Sequence, residues 1–249
     1  MSVFQQLLQT KQKYKAGHLV LIDPDKTPPE RLAYTAEKAL DAGVDAFLVG
    51  GSLLLTPDFD SYLKKFKQYV GDLPIIIFPG SVHQISGHAD AILFLSLLSG
   101  RNAHHIIGSQ VIAAPIIRRM GLEAIATAYL LVESGRATSA EFMSGTTPLP
   151  RHKTEIAVAH ALAAEYMGFQ TIYLEGGSGA DHSVPEEMIY SIAKSVSLPI
   201  IVGGGIRTPE EAAKKVEAGA SFIVTGNILE KNDDPQFLKA FVNSIHQEV

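Results

Sequence analysis

Cysteine is absent from the 249 residues. This excludes a disulfide framework, a thiolate zinc site and a cysteine nucleophile. A chain without thiols suits a reducing interior, and a cytoplasmic location is expected. Basic charge is also scarce, with 21 Lys and Arg against 26 Asp and Glu, a net charge of −5. A protein that gripped nucleic acid through bulk charge would show the opposite balance, so no nucleic-acid partner is expected. No apolar run approaches the roughly 20 residues of a membrane span. Ala91–Leu98 is far shorter, and Asn102–Ile117 is broken by Asn102, His104, His105, Ser109, Gln110 and Pro115. The first residues, MSVFQQLLQTKQKYK, are polar and carry no signal-peptide core, so no stable membrane insertion is expected. The nine histidines show no HExxH or similar ligand spacing. His104 and His105 are adjacent and would face different sides of a helix.

What remains is ordinary globular material, 46% hydrophobic and 19% charged. Short β-branched runs recur along the whole chain. They predict strands near His18–Ile22, Asp45–Val49, Pro74–Phe78, Ala91–Leu95, Glu123–Val132, Gln170–Glu175, Pro199–Gly203 and Ser221–Thr225. Nearly continuous apolarity is what parallel strands covered on both faces require. Amphipathic stretches lie between most of them. Pro28–Asp41 would bury Leu32, Ala36, Ala39 and Leu40, and Arg151–Met167 would bury Ile156, Ala159, Ala163 and Tyr166. Eight strands alternating with helices predict a single α/β domain over 1–249, a (β/α)8 TIM barrel. A doubly wound open sheet is the structural alternative.

Punctuation refines the reading. Thr27-Pro28-Pro29-Glu30 and Thr208-Pro209-Glu210-Glu211 both read as capping boxes with proline at the first helical position. Asp41-Ala42-Gly43 and Glu217-Ala218-Gly219 place a left-handed glycine cap before the next strand. Asp234-Pro235 reads as the N-cap of a final helix. Only 17 residues separate the starts of strands three and four, too few for a helix and its loops, so the third outer helix is missing or reduced. Strands five and six start 47 residues apart, which leaves a Ser-, Thr- and Gly-rich insertion, Glu133–Pro150. That insertion reads as a lid over the site or as a disordered surface loop.

Three glycine-rich loops follow the last three strands: Gly176-Gly177-Ser178-Gly179, Gly203-Gly204-Gly205 and Gly226-Asn227. Glycine lets backbone approach a ligand closely, and phosphate sites in such barrels use the loops after the last strands. A phosphate held by backbone N–H groups needs few basic side chains, so the negative net charge is no objection. Asp23-Pro24-Asp25-Lys26 lies at the mouth of strand one. Asp23 is a candidate ligand for Mg²⁺, which prefers oxygen donors and keeps water and substrate phosphates as partners. Ser52, in Gly50-Gly51-Ser52 after strand two, offers another oxygen. Asp25 fits a metal ligand and a turn-capping residue equally. Glu175 ends strand six against its glycine loop. A carboxylate there is a candidate general base or a hydrogen-bond anchor for the loop.

Taken together, LIDPDK at 21–26, VGGS at 49–52, YLEGGSG at 173–179, VGGGIR at 202–207 and VTGN at 224–227 resemble the geranylgeranylglyceryl phosphate synthase family and its heptaprenylglyceryl relatives. Leu21, where one branch of that family carries lysine, and the long insertion resemble the second branch. The resemblance implies a Mg²⁺-dependent prenyltransferase. It would join sn-glycerol-1-phosphate to geranylgeranyl or another long polyprenyl diphosphate through an ether bond and release pyrophosphate. It implies Asp23 and Ser52 as Mg²⁺ ligands. Tyr173, Leu174, Glu175, Gly176, Gly177, Ser178, Gly179, Gly204, Gly205, Gly226 and Asn227 would bind glycerol phosphate, with Glu175 also catalytic. Lys26, Arg101 and Arg207 are candidates for neutralising phosphate charge, the missing helix would open a cleft for the prenyl tail, and a homo-oligomer, dimer or hexamer, is implied. Two alternatives stand beside this reading. A sugar-phosphate isomerase of the histidine-biosynthesis type would pair Asp23 with Glu133, and a non-catalytic barrel would only bind phosphorylated ligands.

Overall fold

The computed structural model describes residues 1–226 and 234–247. Eight parallel strands close into a barrel in sequence order: β1 Gly17–Ile22, β2 Ala46–Val49, β3 Ile75–Ile77, β4 Ala91–Leu97, β5 Glu123–Leu131, β6 Thr171–Glu175, β7 Ile200–Gly203 and β8 Phe222–Thr225. Pairing of Val20 with Thr225 seals β1 to β8. The open sheet is thereby excluded, and all eight strands lie where the apolar runs put them.

Alternation divides each strand between two cores. Leu19, Leu48, Ile76, Leu93, Ile125, Tyr173, Ile201 and Phe222 fill the barrel interior. Val20, Phe47, Ile75 and Ile92 face the helices on one side, and Ala128, Ile172, Val202 and Ile223 do so on the other. Helix α1, Val3–Tyr14, stoppers the barrel floor with Val3 and Leu7. The Glu123 carboxylate accepts hydrogen bonds from the backbone nitrogens of Val3 and Phe4, satisfying free N–H groups at the helix start.

The outer helices are α2 Leu32–Ala42, α3 Phe59–Phe66, α4 Ser109–Met120, α5 Ser139–Ser144, α6 Thr154–Tyr166, α7 Glu186–Ser195, α8 Pro209–Glu217 and α9 Pro235–Ile245. A π-helical turn, His104–Gly108, leads into α4. Between Ile77 and Ala91 there is no helix, as the short spacing predicts. Thr208 forms the expected capping box on α8, and Asp234 caps α9. Gly43 ends α2 in the left-handed conformation, whereas the cap of α8 is Ala218, one residue before Gly219.

Three expectations are corrected. Thr27 caps no helix: α2 starts at Leu32, with Arg31 as an N-cap that makes no side-chain bond. Pro29 disfavours the helical conformation at Pro28, so the first turn is lost to tight turns. On α2, Leu32, Ala36 and Ala39 are buried but Leu40 is exposed. The buried face of α6 is Ala157, Ala161 and Ala164, not Ile156, Ala159, Ala163 and Tyr166. Alanine at that spacing lets the helix lie close to the sheet, and Tyr166 is left 82% exposed. Of the two readings of the Glu133–Pro150 insertion, the disordered loop is set aside, since the segment is folded. It bridges back at Val132 and Leu149 and contains α5, capped by Thr138.

Candidate active site

The C-terminal ends of β6 and β7 bring two of the glycine loops together. The Gly176 nitrogen donates to the Gly203 carbonyl at 2.9 Å, which continues the β6–β7 ladder into the loops. Gly204, at φ +82°, approaches so closely that a Cβ there would lie 2.5 Å from the Gly177 nitrogen and run into Glu175 Oε1. Gly177, at φ +97°, has Thr138 against it, and a Cβ would lie 2.7 Å from the Thr138 Cβ. Both positions combine a left-handed backbone with no room for a side chain, so the sequence needs glycine at each. Gly176 and Gly177 are buried, Gly204, Gly205 and Gly226 are half-buried, and Ser178 and Gly179 are exposed. Gly226 follows β8 beside Leu21. Asn227 lies outside the described residues.

The insertion forms the outer wall of this cradle. The Ser134 carbonyl accepts from the nitrogens of Asp181 and His182 at 3.1 and 3.0 Å. Arg136 donates to the Gly179 carbonyl and pairs with Asp181 at 3.4 Å. Thus the insertion braces the β6 loop.

Glu175 stands at the centre, 6% exposed. Its Oε1 accepts the Gly177 N–H at 2.5 Å. Oε2 turns toward Gly203 and the Tyr173 hydroxyl, since a Cβ on Gly203 would lie 3.2 Å from the first and 2.5 Å from the second. Burial pushes the carboxyl up to about 7, against the opposing hydrogen bond from Gly177 and the neighbouring Tyr173. Tyr173 is fully buried, and its hydroxyl has no hydrogen-bond partner of good geometry. Burial and the Glu175 carboxylate hold both Tyr173 and Tyr129 well above the usual phenol range. Leu174, also predicted in the site, points away into the outer core; only its backbone belongs to the site strand.

Tyr129 was not singled out by sequence. Register places it directly opposite Tyr173, and Phe78 stacks on Tyr173 at 5.0 Å between ring centres. These three rings make an aromatic floor beside Glu175. The available signal was an aromatic residue at an inward position of β5, visible only once the register is known.

At the other side of the mouth, Asp23 is half-buried. Its Oδ2 pairs with Lys26 at 2.9 Å and its Oδ1 accepts the Asp25 N–H at 3.1 Å. A Cβ on Gly51 would lie 3.5 Å from Asp23 Oδ1, so the loop carrying half-buried Ser52 runs alongside that carboxylate. Asp25 is taken up by structure: its carboxylate accepts from the nitrogens of Leu55 and Thr56 and from the Thr56 hydroxyl, at 2.5–2.7 Å. Arg101 donates to the Gly100 carbonyl, and Arg207 to the carbonyls of Ala180 and Asp181. Both guanidiniums bind loop backbone, and Lys26 pairs with Asp23 at the mouth. Glu133 is exposed beyond β5.

A profile of the PcrB family matches residues 9–245. The chain belongs to that family. It is similar to a geranylgeranylglyceryl phosphate synthase of Chitinophaga pinensis, with 41% identity covering 98% of this chain and 96% of the relative. A protein of that name from Thermococcus gammatolerans is 46% identical, covering 91% of this chain and 89% of the relative. The crystal structure of (S)-3-O-geranylgeranylglyceryl phosphate synthase from Thermoplasma acidophilum, in complex with sn-glycerol-1-phosphate, superposes with a TM-score of 0.91 at 38% identity, covering 99% of both chains. The motif resemblance and the barrel are therefore both supported by whole-chain likeness. No helix among the described residues is long and apolar enough to cross a membrane.

Proposed function

We propose that this prenyltransferase joins sn-glycerol-1-phosphate to geranylgeranyl diphosphate, or a polyprenyl diphosphate of similar length, as an ether. The observation that carries the proposal is Glu175: a buried carboxylate poised near neutrality, inside a cradle of close-packed glycines, beside the buried Tyr173 hydroxyl. The glycine backbone holds the phosphate through N–H groups. The buried Tyr173 hydroxyl, beside the Glu175 carboxylate, offers a hydrogen-bond partner to a glycerol hydroxyl. Glu175 Oε1 is committed to Gly177, so Oε2 accepts the proton. The glycerol sn-3 oxygen then forms a bond to the first prenyl carbon as that carbon's bond to the diphosphate oxygen breaks. The leaving pyrophosphate keeps the electron pair, and the hydroxyl proton ends on Glu175.

The oxygen donors at the mouth fit Mg²⁺. One carboxylate and one hydroxyl leave coordination places for water and diphosphate, and no group of three or more metal-binding side chains exists among the described residues to build a full cage. Asp23 and Ser52 would hold the ion, and it would supply positive charge against the departing pyrophosphate. Lys26 adds a cation at the same edge. The wall without a helix between β3 and β4 supports the tail path, and Leu53 and Leu55 stand exposed on the adjoining loop. Each CH₂ that leaves water there contributes about 0.8 kcal/mol before binding costs. Exposed Ile107, Val111 and Ile112 along the π turn and α4 support a homo-oligomer formed with a second copy of this chain.

Glu175→Gln tests the reading. We expect turnover to fall by about 10²–10⁴-fold, while calorimetric binding of glycerol-1-phosphate changes little. Loss of affinity with unchanged turnover would make Glu175 an anchor and reject it as the base. The isomerase alternative needs Glu133 opposite Asp23, and its exposure speaks against that pairing.

A further inference from the structure

The segment that replaces the third helix is more than a gap. It carries Gln84, a polar side chain only 1% exposed. Gln84 Oε1 accepts the N–H groups of Gly51 and Gly80, both at 3.2 Å. Its Nε2 donates to the Gly51 carbonyl at 2.7 Å. Two backbone donors on one atom and a carbonyl on the other fix which end of the amide is oxygen. One side chain thus satisfies both backbone polar groups of Gly51, the residue between Gly50 and Ser52.

The loop is also tied at its start, where the Gly50 nitrogen donates to the Ile22 carbonyl at 3.1 Å. Gly50 adopts φ +153°, and a Cβ would run into the Phe78 carbonyl and lie 2.9 Å from Gln84 Oε1. A Cβ on Gly80 would lie 2.9 Å from the Ser52 Cα. Two glycine backbones therefore touch here, and glycine is the residue with most freedom to leave such a conformation. Asp25 ties the far end of the loop through Leu55 and Thr56. Between the two ties the loop runs past the Asp23 carboxylate.

We infer that Gln84 is the positioning residue that presents Ser52 beside Asp23 for a divalent cation. The inference rests on the proposed Mg²⁺ site at those two residues. Gln84 touches neither the ion nor the substrates; it sets the backbone from which the hydroxyl projects. In place of the helix, a short segment packs Val82 and Ile85 against the core and dips inward far enough to bring the Gln84 amide against the β2 loop.

The test uses Mn²⁺, followed by electron paramagnetic resonance, with inorganic pyrophosphate present and the full-length chain. Alongside it, calorimetry follows glycerol-1-phosphate, which binds at the glycine cradle. Gln84→Leu is expected to weaken Mn²⁺ binding by about 10–100-fold and glycerol-1-phosphate binding by less than about twofold. Gln84→Glu keeps the acceptor but sets an oxygen against the Gly51 carbonyl; it should show the same split, and it serves if Gln84→Leu fails to fold. Mn²⁺ binding unchanged in a folded variant would overturn the inference. Equal weakening of both ligands would also overturn it, by making Gln84 a general support of the fold. Failure of the wild-type chain to bind Mn²⁺ would instead remove the cation site beneath it.

Discussion

Glycine and one carboxylate define the chemistry at the scale of single residues. Gly204→Ala would force a methyl group toward Glu175 Oε1 and the Gly177 nitrogen from a left-handed backbone. We expect kcat/KM for glycerol phosphate to fall by about 10²-fold, because displacement of about 1 Å has that effect on positioned groups. Steady-state kinetics checks it, and a near-wild-type value would contradict the cradle. The raised Glu175 pKa has two consequences. If Glu175 is the base proposed above, kcat/KM rises with pH through an ascending limb near pH 7, and Glu175→Gln lacks that limb. Stability has the opposite sign. The folded chain resists ionising Glu175, so its ionisation weakens the fold as pH rises from about 4.5 through 7. Glu175→Gln should therefore melt several degrees higher than wild type at pH 8, with the difference gone near pH 4. Thermal melts across that range decide it.

At the scale of elements, the strands were legible because burial on both faces leaves no polar positions to interrupt the apolar run. The absent helix was legible from chain length alone. Helix faces were less so. Apolar residues surround α6, and periodicity selected Ile156 and Tyr166 where the fold buries Ala157, Ala161 and Ala164. Size, not hydrophobicity, decides which face meets the sheet. Ala161→Leu should accordingly cost about 1–3 kcal/mol by overpacking, read as a lowered midpoint in urea. An unchanged midpoint would contradict the close approach of α6. In the site, Asp23, Glu175 and the glycines were readable because charge and glycine are conspicuous at strand ends. Tyr129 and Gln84 were not. Their placement depends on register and on a loop turning inward, which no local pattern records. Asp25 fits a metal ligand and a turn cap equally in the sequence; the hydrogen bonds it accepts from Leu55 and Thr56 make it a loop anchor.

For the whole molecule, the barrel places glycine loops after β6 and β7, and Asp23 and Ser52 after β1 and β2, where the proposed function puts the phosphate and the cation. The aromatic floor of Phe78, Tyr129 and Tyr173 adjoins Glu175 at the same mouth. This division accommodates two anionic substrates on a chain of net charge −5. Assembly is a property of the same scale. A homo-oligomer should show a light-scattering mass at a multiple of 26.8 kDa, and replacing Ile107 and Val111 together by Glu should lower it. A monomeric mass for the wild type would contradict the reading of α4. The most direct test follows labelled sn-glycerol-1-phosphate into the organic phase, with Mg²⁺ and prenyl diphosphates from C10 to C35. The account predicts an extractable prenyl glyceryl ether, formed in equal amount with pyrophosphate, greatest with a long donor and abolished by chelation. No extractable product with any donor would contradict it.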